Sequence, residues 1–290
     1  MYVLICPCII NPSLRARGIT SPADRQLFER AIERCRIFHL EIVPLPCPET
    51  LYLGPDRPPG TFIERLNTGE FFQLMDRLEE DVRDTIRRRG PPLCIIGVNS
   101  SPTCGVTKTY YGSSGEGPEK REGRGVFLDR FPEVGAIDVA DFAAYRIYIA
   151  APLFSEAEKS YNLQISNILT KHLFETYLPQ TIGDDTQNRG KAAHREIFRA
   201  HLQALARTDI LVAIIDGADA DSGTAWEMGY AYARGIPVVG LRTDFRKAGD
   251  HERVNLMLEQ ASRVINRKED LPMVLKSPCC CHQGLPEKTE

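Results

Sequence analysis

DILVAIIDGADADSGTAWEMGYA, residues 209–231, decides the fold. The apolar run ILVAII (210–215) is too short for a helix and ends at Asp216–Gly217, so DILVAIIDG (209–217) reads as a buried strand. A loop follows, then a helix from about residue 223 headed by Asp221. Outward on the C-terminal side, IPVVGLRT (236–243) is a further strand. On the N-terminal side come a helix over about 192–207, the strand YRIYIAAPLF (145–154), and the helix SEAEKSYNLQISNILTKHLFETY (155–177), with Ser155 and Glu158 spaced as a capping box.

The same alternation occurs earlier in the chain. YVLICPCII (2–10), LEIVPLP (40–46) and PLCIIGVN (92–99) read as buried strands, and ADRQLFERAIERCRIF (23–38) and GEFFQLMDRLEEDVRDTIRRRG (69–90) as helices. The fold class is therefore α/β: two doubly wound parallel-sheet domains, Rossmann-like or flavodoxin-like, in series. The boundary is expected near residue 140, giving units 1–140 and 141–276. GSSGEGPEKREGRG (112–125) is expected as an exposed loop, and 277–290 as a flexible Cys-containing tail.

With 290 residues, 42% of them hydrophobic, the chain exceeds one typical core. A net charge of −3 provides no basic field for nucleic acid or a membrane surface. The apolar runs fall far short of the roughly 20 residues that cross a bilayer. A cytoplasmic location is expected. Nine cysteines, an odd number without a secretion signal, point to thiols or metal ligands rather than a disulfide framework.

In DSGTAWEMGYA (221–231), Asp221 is placed to cap a helix and favour its dipole. Glu227 lies beyond the capping positions, while Gly223 lets backbone and ligand approach closely. A glutamate in such a cleft can attack the anomeric carbon of a sugar and form a covalent glycosyl–enzyme intermediate.

YIAAPLFSEAE (148–158), residues 209–244 and NLM (255–257) together resemble the nucleoside 2-deoxyribosyltransferase family over about residues 145–265. The resemblance implies that Glu227 forms a 2-deoxyribosyl ester and yields it to an incoming base, with no cofactor. It implies that Tyr148 orients Glu227, and that Asp221 binds substrate and helps protonate the departing base; packing and helix capping are their respective alternatives. Asn255 would come from a neighbouring subunit and bind the sugar 5′-hydroxyl, implying a homo-oligomer with shared sites; a solvated helix start is the alternative. Met257 belongs to the same substrate-binding segment. Eight residues before Asp209, where the family commonly carries an Asp that meets the base, this chain has His201, and Ala151 replaces a common Gly. The partners implied are small-molecule nucleosides and nucleobases.

Cys8, Cys47 and Cys104 each fall at or just past the carboxyl end of a different expected strand, where open parallel sheets place their sites. Three such thiols suit an iron–sulfur cluster with one open iron, a zinc with one open position, or simple burial. Cys6, two residues before Cys8, would share its strand face as packing or a reserve ligand, whereas Cys35 and Cys94 read as core residues.

CPCIINPSLRARG (6–18), CPETLYLGPDRPPG (47–60) and the segment around SPTCGV (101–106) resemble the Cys motifs of the thiouracil desulfurase family. The resemblance covers about residues 1–135. It implies a 4Fe–4S cluster held by Cys8, Cys47 and Cys104, acting on thiolated pyrimidines, with Glu49 and Ser101 assisting proton transfer or merely lining a solvated loop. Where that family has an aromatic–Asp–Gly sequence after its first Cys, this chain has RARG (15–18). The fusion suggests joint salvage of modified pyrimidines. A nucleoside or nucleotide N-glycosidase, and a nucleoside-binding redox sensor without turnover, are the competing expectations.

Overall fold

A computed structural model describes residues 1–114, 117–182, 191–246, 249 and 252–281. The chain divides into two compact units, Met1–Ala143 together with the segment from Pro278, and Ala144–Ser277.

In the first unit the elements run β1 (Tyr2–Ile5), α1 (Pro7–Ile10), α2 (Pro22–Ile37), β2 (Glu41–Pro44), α3 (Pro48–Leu53), α4 (Phe62–Arg65), α5 (Gly69–Arg89), β3 (Ile95–Gly97), β4 (Lys108–Ser114), β5 (Gly117–Glu122), β6 (Ala136–Asp138) and α6 (Val139–Ala143). Four parallel strands pair in the order β2-β1-β3-β6, with Leu4 opposite Ile95 and Ile95 opposite Ala136. Two departures from the sequence reading affect the site. The first strand stops at Ile5, because Pro7 lacks the N–H a central strand must donate and instead opens α1 at its favoured first position. Cys8 thus sits on a helical turn, and the strand alternation that paired its face with Cys6 does not apply. The expected loop at 112–125 is instead largely an antiparallel hairpin of β4 and β5, with Tyr110 opposite Lys120.

The second unit runs β7 (Arg146–Ala150), α7 (Glu156–Lys171), β8 (Glu175–Tyr177), α8 (Lys191–Arg207), β9 (Ile210–Ile214), α9 (Ser222–Ala233), β10 (Val238–Leu241), α10 (Leu256–Gln260), β11 (Arg263–Ile265) and α11 (Leu271–Val274). Its strands are all parallel in the order β11-β10-β9-β7-β8. Renumbered within the unit this is 2-1-3-4-5 read from β8, the flavodoxin order, whose direction reverses between β7 and β9. Ser155 caps α7 reciprocally with Glu158, as its spacing predicts. The helix expected to continue to residue 177 stops at Lys171, because Leu173 takes a left-handed backbone conformation (φ 65°) that turns the chain into β8.

One face of this sheet, with Tyr148, Ala150, Leu211 and Ala213, packs on Leu205 of α8 and Met228 and Ala231 of α9. Burying these side chains supplies about 1.5–3 kcal/mol for each large apolar group. The segment expected as a flexible tail instead begins with a short 3₁₀ turn, Pro278–Cys280, and Cys281 packs beside Gly135, where an added Cβ would lie 2.7 Å from that of Cys281. The remainder of that expected tail, 282–290, lies outside the described residues. Among the described residues, no helix is long and apolar enough to cross a membrane.

Candidate functional site

In the second unit, ligands of such a sheet bind where the strand order reverses, outside the carboxyl ends of β7 and β9. Tyr148 occupies β7 and is fully buried. Asp221 caps α9, its Oδ2 accepting from the Thr224 backbone N–H at 3.1 Å, and Glu227 follows within the helix. Asp221 Oδ1 has no protein partner among the described residues. A Cβ at Gly223 would lie 3.0 Å from Asp221 Oδ2, so the glycine leaves the cap its room.

The Tyr148 hydroxyl donates to Glu227 Oε1 at 2.5 Å. Burial pushes the Glu227 carboxyl up to about 7; the Tyr148 hydrogen bond opposes this shift and the nearby Asp221 charge adds to it. Tyr148 is pushed well above an ordinary phenol by burial and by the Glu227 charge. The crevice therefore holds a carboxyl group poised near neutrality and oriented by a phenol that retains its proton.

Two further residues join this pair. Tyr177 on β8 stacks on Tyr148 with ring centroids 5.1 Å apart, and its hydroxyl lies 2.9 Å from His201 Nδ1 on α8. Sequence reasoning placed His201 among the candidates but missed Tyr177 by extending α7 through it. The β-favouring Thr-Tyr pair before Leu178–Pro179 was the available signal. Asn255 caps α10, accepting from the Met257 N–H at 3.0 Å. Asn255 and Met257 are exposed, and among the described residues neither makes a hydrogen bond with the Tyr148–Glu227 group.

In the first unit, Cys8, Cys47 and Cys104 line one cavity of about 510 Å³ with Glu49, Ser101, Arg15 and Arg57. Cys8 comes from α1, Cys47 immediately precedes α3, and Cys104 lies on the loop after β3. That loop is tightly wound: Val98 N–H donates to the Cys104 carbonyl at 2.9 Å, and a Cβ at Gly125 would lie 2.4 Å from the Thr103 carbonyl carbon. Glu49 ties the thiol-bearing segments together. Its Oε1 accepts from Thr103 at 2.7 Å and Ser101 at 3.2 Å, and its Oε2 accepts from the buried Arg57 at 3.2 Å.

The Thr50 hydroxyl lies 3.1 Å from Cys47 Sγ and 3.1 Å from the Leu14 carbonyl, and the Thr103 hydroxyl, which donates to Glu49, lies 3.5 Å from Cys104 Sγ. Burial and the neighbouring thiols push Cys8 and Cys47 upward. Cys6 is buried with its thiol hydrogen-bonded to Cys104, while Cys35 and Cys94 are buried elsewhere. Among the described residues, no three His, Cys, Asp or Glu side chains come close enough to hold a single metal ion, which departs from a mononuclear zinc site. Three thiols around one cavity, two of them with a hydroxyl group nearby, match in donor chemistry a cluster whose several irons separate its ligands.

The second unit is thus a flavodoxin-ordered α/β unit with a phenol-anchored carboxyl in its ligand crevice. Residues 147–267 match the family model for nucleoside 2-deoxyribosyltransferase. The chain is 27% identical over 157 residues to an uncharacterized protein of Methanocaldococcus jannaschii, covering 53% of this chain and 81% of that one. Its structure is similar to that of a conserved protein from Enterococcus faecalis V583, with 32% identity, TM-score 0.41, and coverage of 46% and 97% of the two chains. A 2-deoxyribosyltransferase from Bacillus psychrosaccharolyticus aligns with 23% identity, TM-score 0.40, and coverage of 45% and 95%.

Proposed function

We propose that the second unit cleaves and remakes the N-glycosidic bond of 2′-deoxynucleosides by double displacement. The supporting observation is the 2.5 Å bond that aims Glu227, its carboxyl raised to about 7, into the switch-point crevice. Ionised Glu227 attacks C1′ of the bound deoxynucleoside; the C1′–O ester bond forms as the C1′–N bond breaks, and the departing base takes a proton delivered through Asp221. A ring nitrogen of the incoming base then attacks C1′, the ester bond breaks, and Glu227 leaves as carboxylate while the new base gives up its proton. Tyr148 holds the attacking oxygen during both steps. Incubation with one deoxynucleoside and a second base tests the reading: parallel double-reciprocal lines and exchange of base are expected, and release of free deoxyribose without any exchange would make the unit a glycosidase instead.

Asn255, exposed and, among the described residues, without a hydrogen bond to the Glu227 group, is proposed to complete the site of a neighbouring copy by binding the sugar 5′-hydroxyl. The assembly is then a homo-oligomer with shared sites.

The first unit is proposed to hold a 4Fe–4S cluster on Cys8, Cys47 and Cys104, supported by the single cavity that all three line. When bound, such a cluster supplies an iron without a protein ligand that accepts sulfur from a thiolated pyrimidine. Arg57 fixes Glu49, and Glu49 with Ser101 holds or moves a proton at the cavity wall. Anaerobic reconstitution followed by iron and sulfide analysis tests this. About four of each per chain are expected, and absence of iron-dependent visible absorption would refute it.

A further inference from the structure

Tyr177 stands opposite Tyr148 in the register of β7 and β8, and their rings stack at 19°. The stack fixes the plane of the Tyr177 ring and so the direction of its hydroxyl, 2.9 Å from His201 Nδ1. A phenol has one proton to donate, and Nδ1 is the acceptor within its reach among the described residues. Burial holds that proton on Tyr177 and keeps the His201 imidazole neutral by lowering its affinity for a second proton. A neutral imidazole that accepts at Nδ1 carries its own proton on Nε2. His201 Nε2 has no partner among the described residues, and the residue is partly exposed.

A chain of contacts links this donor to the reacting carboxyl: His201 bonds Tyr177, Tyr177 stacks on Tyr148, and Tyr148 donates to Glu227. Nucleobases that leave C1′ differ in what they offer such a donor. Uracil and hypoxanthine carry an exocyclic carbonyl where cytosine and adenine carry an amino group. An N–H aimed at a carbonyl makes a hydrogen bond; aimed at an amino group it leaves two donors facing each other.

Resting on the deoxyribosyl-transfer reading of the crevice, we propose that Tyr177 is a positioning residue that locks His201 as a hydrogen-bond donor, so that the site selects bases with an exocyclic carbonyl over those with an amino group. The selection rests on the tautomer, not on the charge, of His201.

The test uses the full chain and separates binding from turnover. Uracil and cytosine are titrated calorimetrically into the wild type and into Tyr177→Phe, His201→Gln and His201→Asp, and kcat/KM is measured for 2′-deoxyuridine and 2′-deoxycytidine. About a tenfold preference for uracil is expected in the wild type, the scale of one hydrogen bond to a base edge. His201→Gln, which keeps an N–H donor, retains most of it; His201→Asp, which only accepts, reverses it; Tyr177→Phe reduces it at least about threefold. The ¹⁵N resonances of His201 report its tautomer directly, with a protonated Nε2 expected in the wild type and a mixture in Tyr177→Phe. An Nδ1–H tautomer in the wild type, or a uracil preference that neither His201→Asp nor Tyr177→Phe alters, overturns the proposal. Discrimination in binding without any turnover leaves the His201 assignment standing and sinks the transfer reading; Glu227-dependent turnover with discrimination indifferent to His201 does the opposite.

Discussion

The Tyr148 hydroxyl and Glu227 Oε1 meet at 2.5 Å although 79 positions separate them in the chain. One belongs to the strand on one side of the reversal in strand order, the other to the helix after the strand on the opposite side. The bond exists because the sheet order brings these two elements to one crevice.

That bond sets a pH dependence. Glu227 attacks only when ionised, so kcat/KM should rise with pH along a limb centred near 7. Tyr148 hydrogen-bonds the ionised form and lowers the carboxyl pKa. Tyr148→Phe should therefore move the limb to higher pH as well as reduce the rate. An unchanged limb in the variant would separate the titration from Glu227.

Glu227→Ala should lose about three or more orders of magnitude in rate, the scale on which removal of a covalent nucleophile is felt. Stability should respond in the opposite sense. A carboxyl raised from 4.5 to about 7 binds its proton more tightly in the folded state, so this contribution is fully present below pH 4.5 and is lost as pH rises through 7. Glu227→Gln should thus raise the melting temperature relative to wild type at pH 8 and change it least at pH 4, as thermal unfolding at the two pH values will show.

Asp221 combines two roles that its variants separate. Asp221→Asn keeps a capping oxygen for Thr224 but removes the charge that raises Glu227, so the activity limb should move to lower pH with little change in stability. Asp221→Ala should move it similarly and also cost about 1 kcal/mol in unfolding free energy. Urea denaturation alongside the pH–rate profile distinguishes them.

The strand–loop–helix around Asp221 was legible because each of its signals acts within a few residues: an apolar run, a capping acid, a helix. The parallel α/β class follows from repeating that unit. Three-residue strands such as β8 and β11 carry too little pattern to register, and β8 was absorbed into a helix whose end depends on the backbone turn at Leu173. Cys8, Cys47 and Cys104 were readable as convergent from strand order alone, even though β1 ends before Cys8. Tyr177 was not, because its importance lies in a stack and a hydrogen bond with residues on two other elements.

Ser substitution of Cys8, Cys47 or Cys104 should each abolish the visible absorption of the reconstituted protein, while Cys35→Ser and Cys94→Ser should leave iron content per folded chain unchanged. Equal losses at all five positions would point to general instability rather than ligation.

Mixing Glu227→Ala subunits with Asn255→Ala subunits should restore activity if each site draws on two copies. Asn255→Ala alone should weaken deoxynucleoside binding by roughly 1–3 kcal/mol for the lost hydrogen bond. Confirmed subunit exchange without recovery of activity would assign each sugar to one chain.

Because the segment from Pro278 belongs with Met1–Ala143, the second unit is an insertion within the covalent path of the first, leaving at Ala144 and returning at Ser277. A stop codon after residue 277 would therefore spare the second unit and injure the first. It would remove Cys281, whose sulfur is hydrogen-bonded to the buried Cys94 thiol and whose Cβ sits against Gly135, opening the edge where β3 and β6 begin. Cys281 thus acts as a closing stitch of the fold that the chain began with.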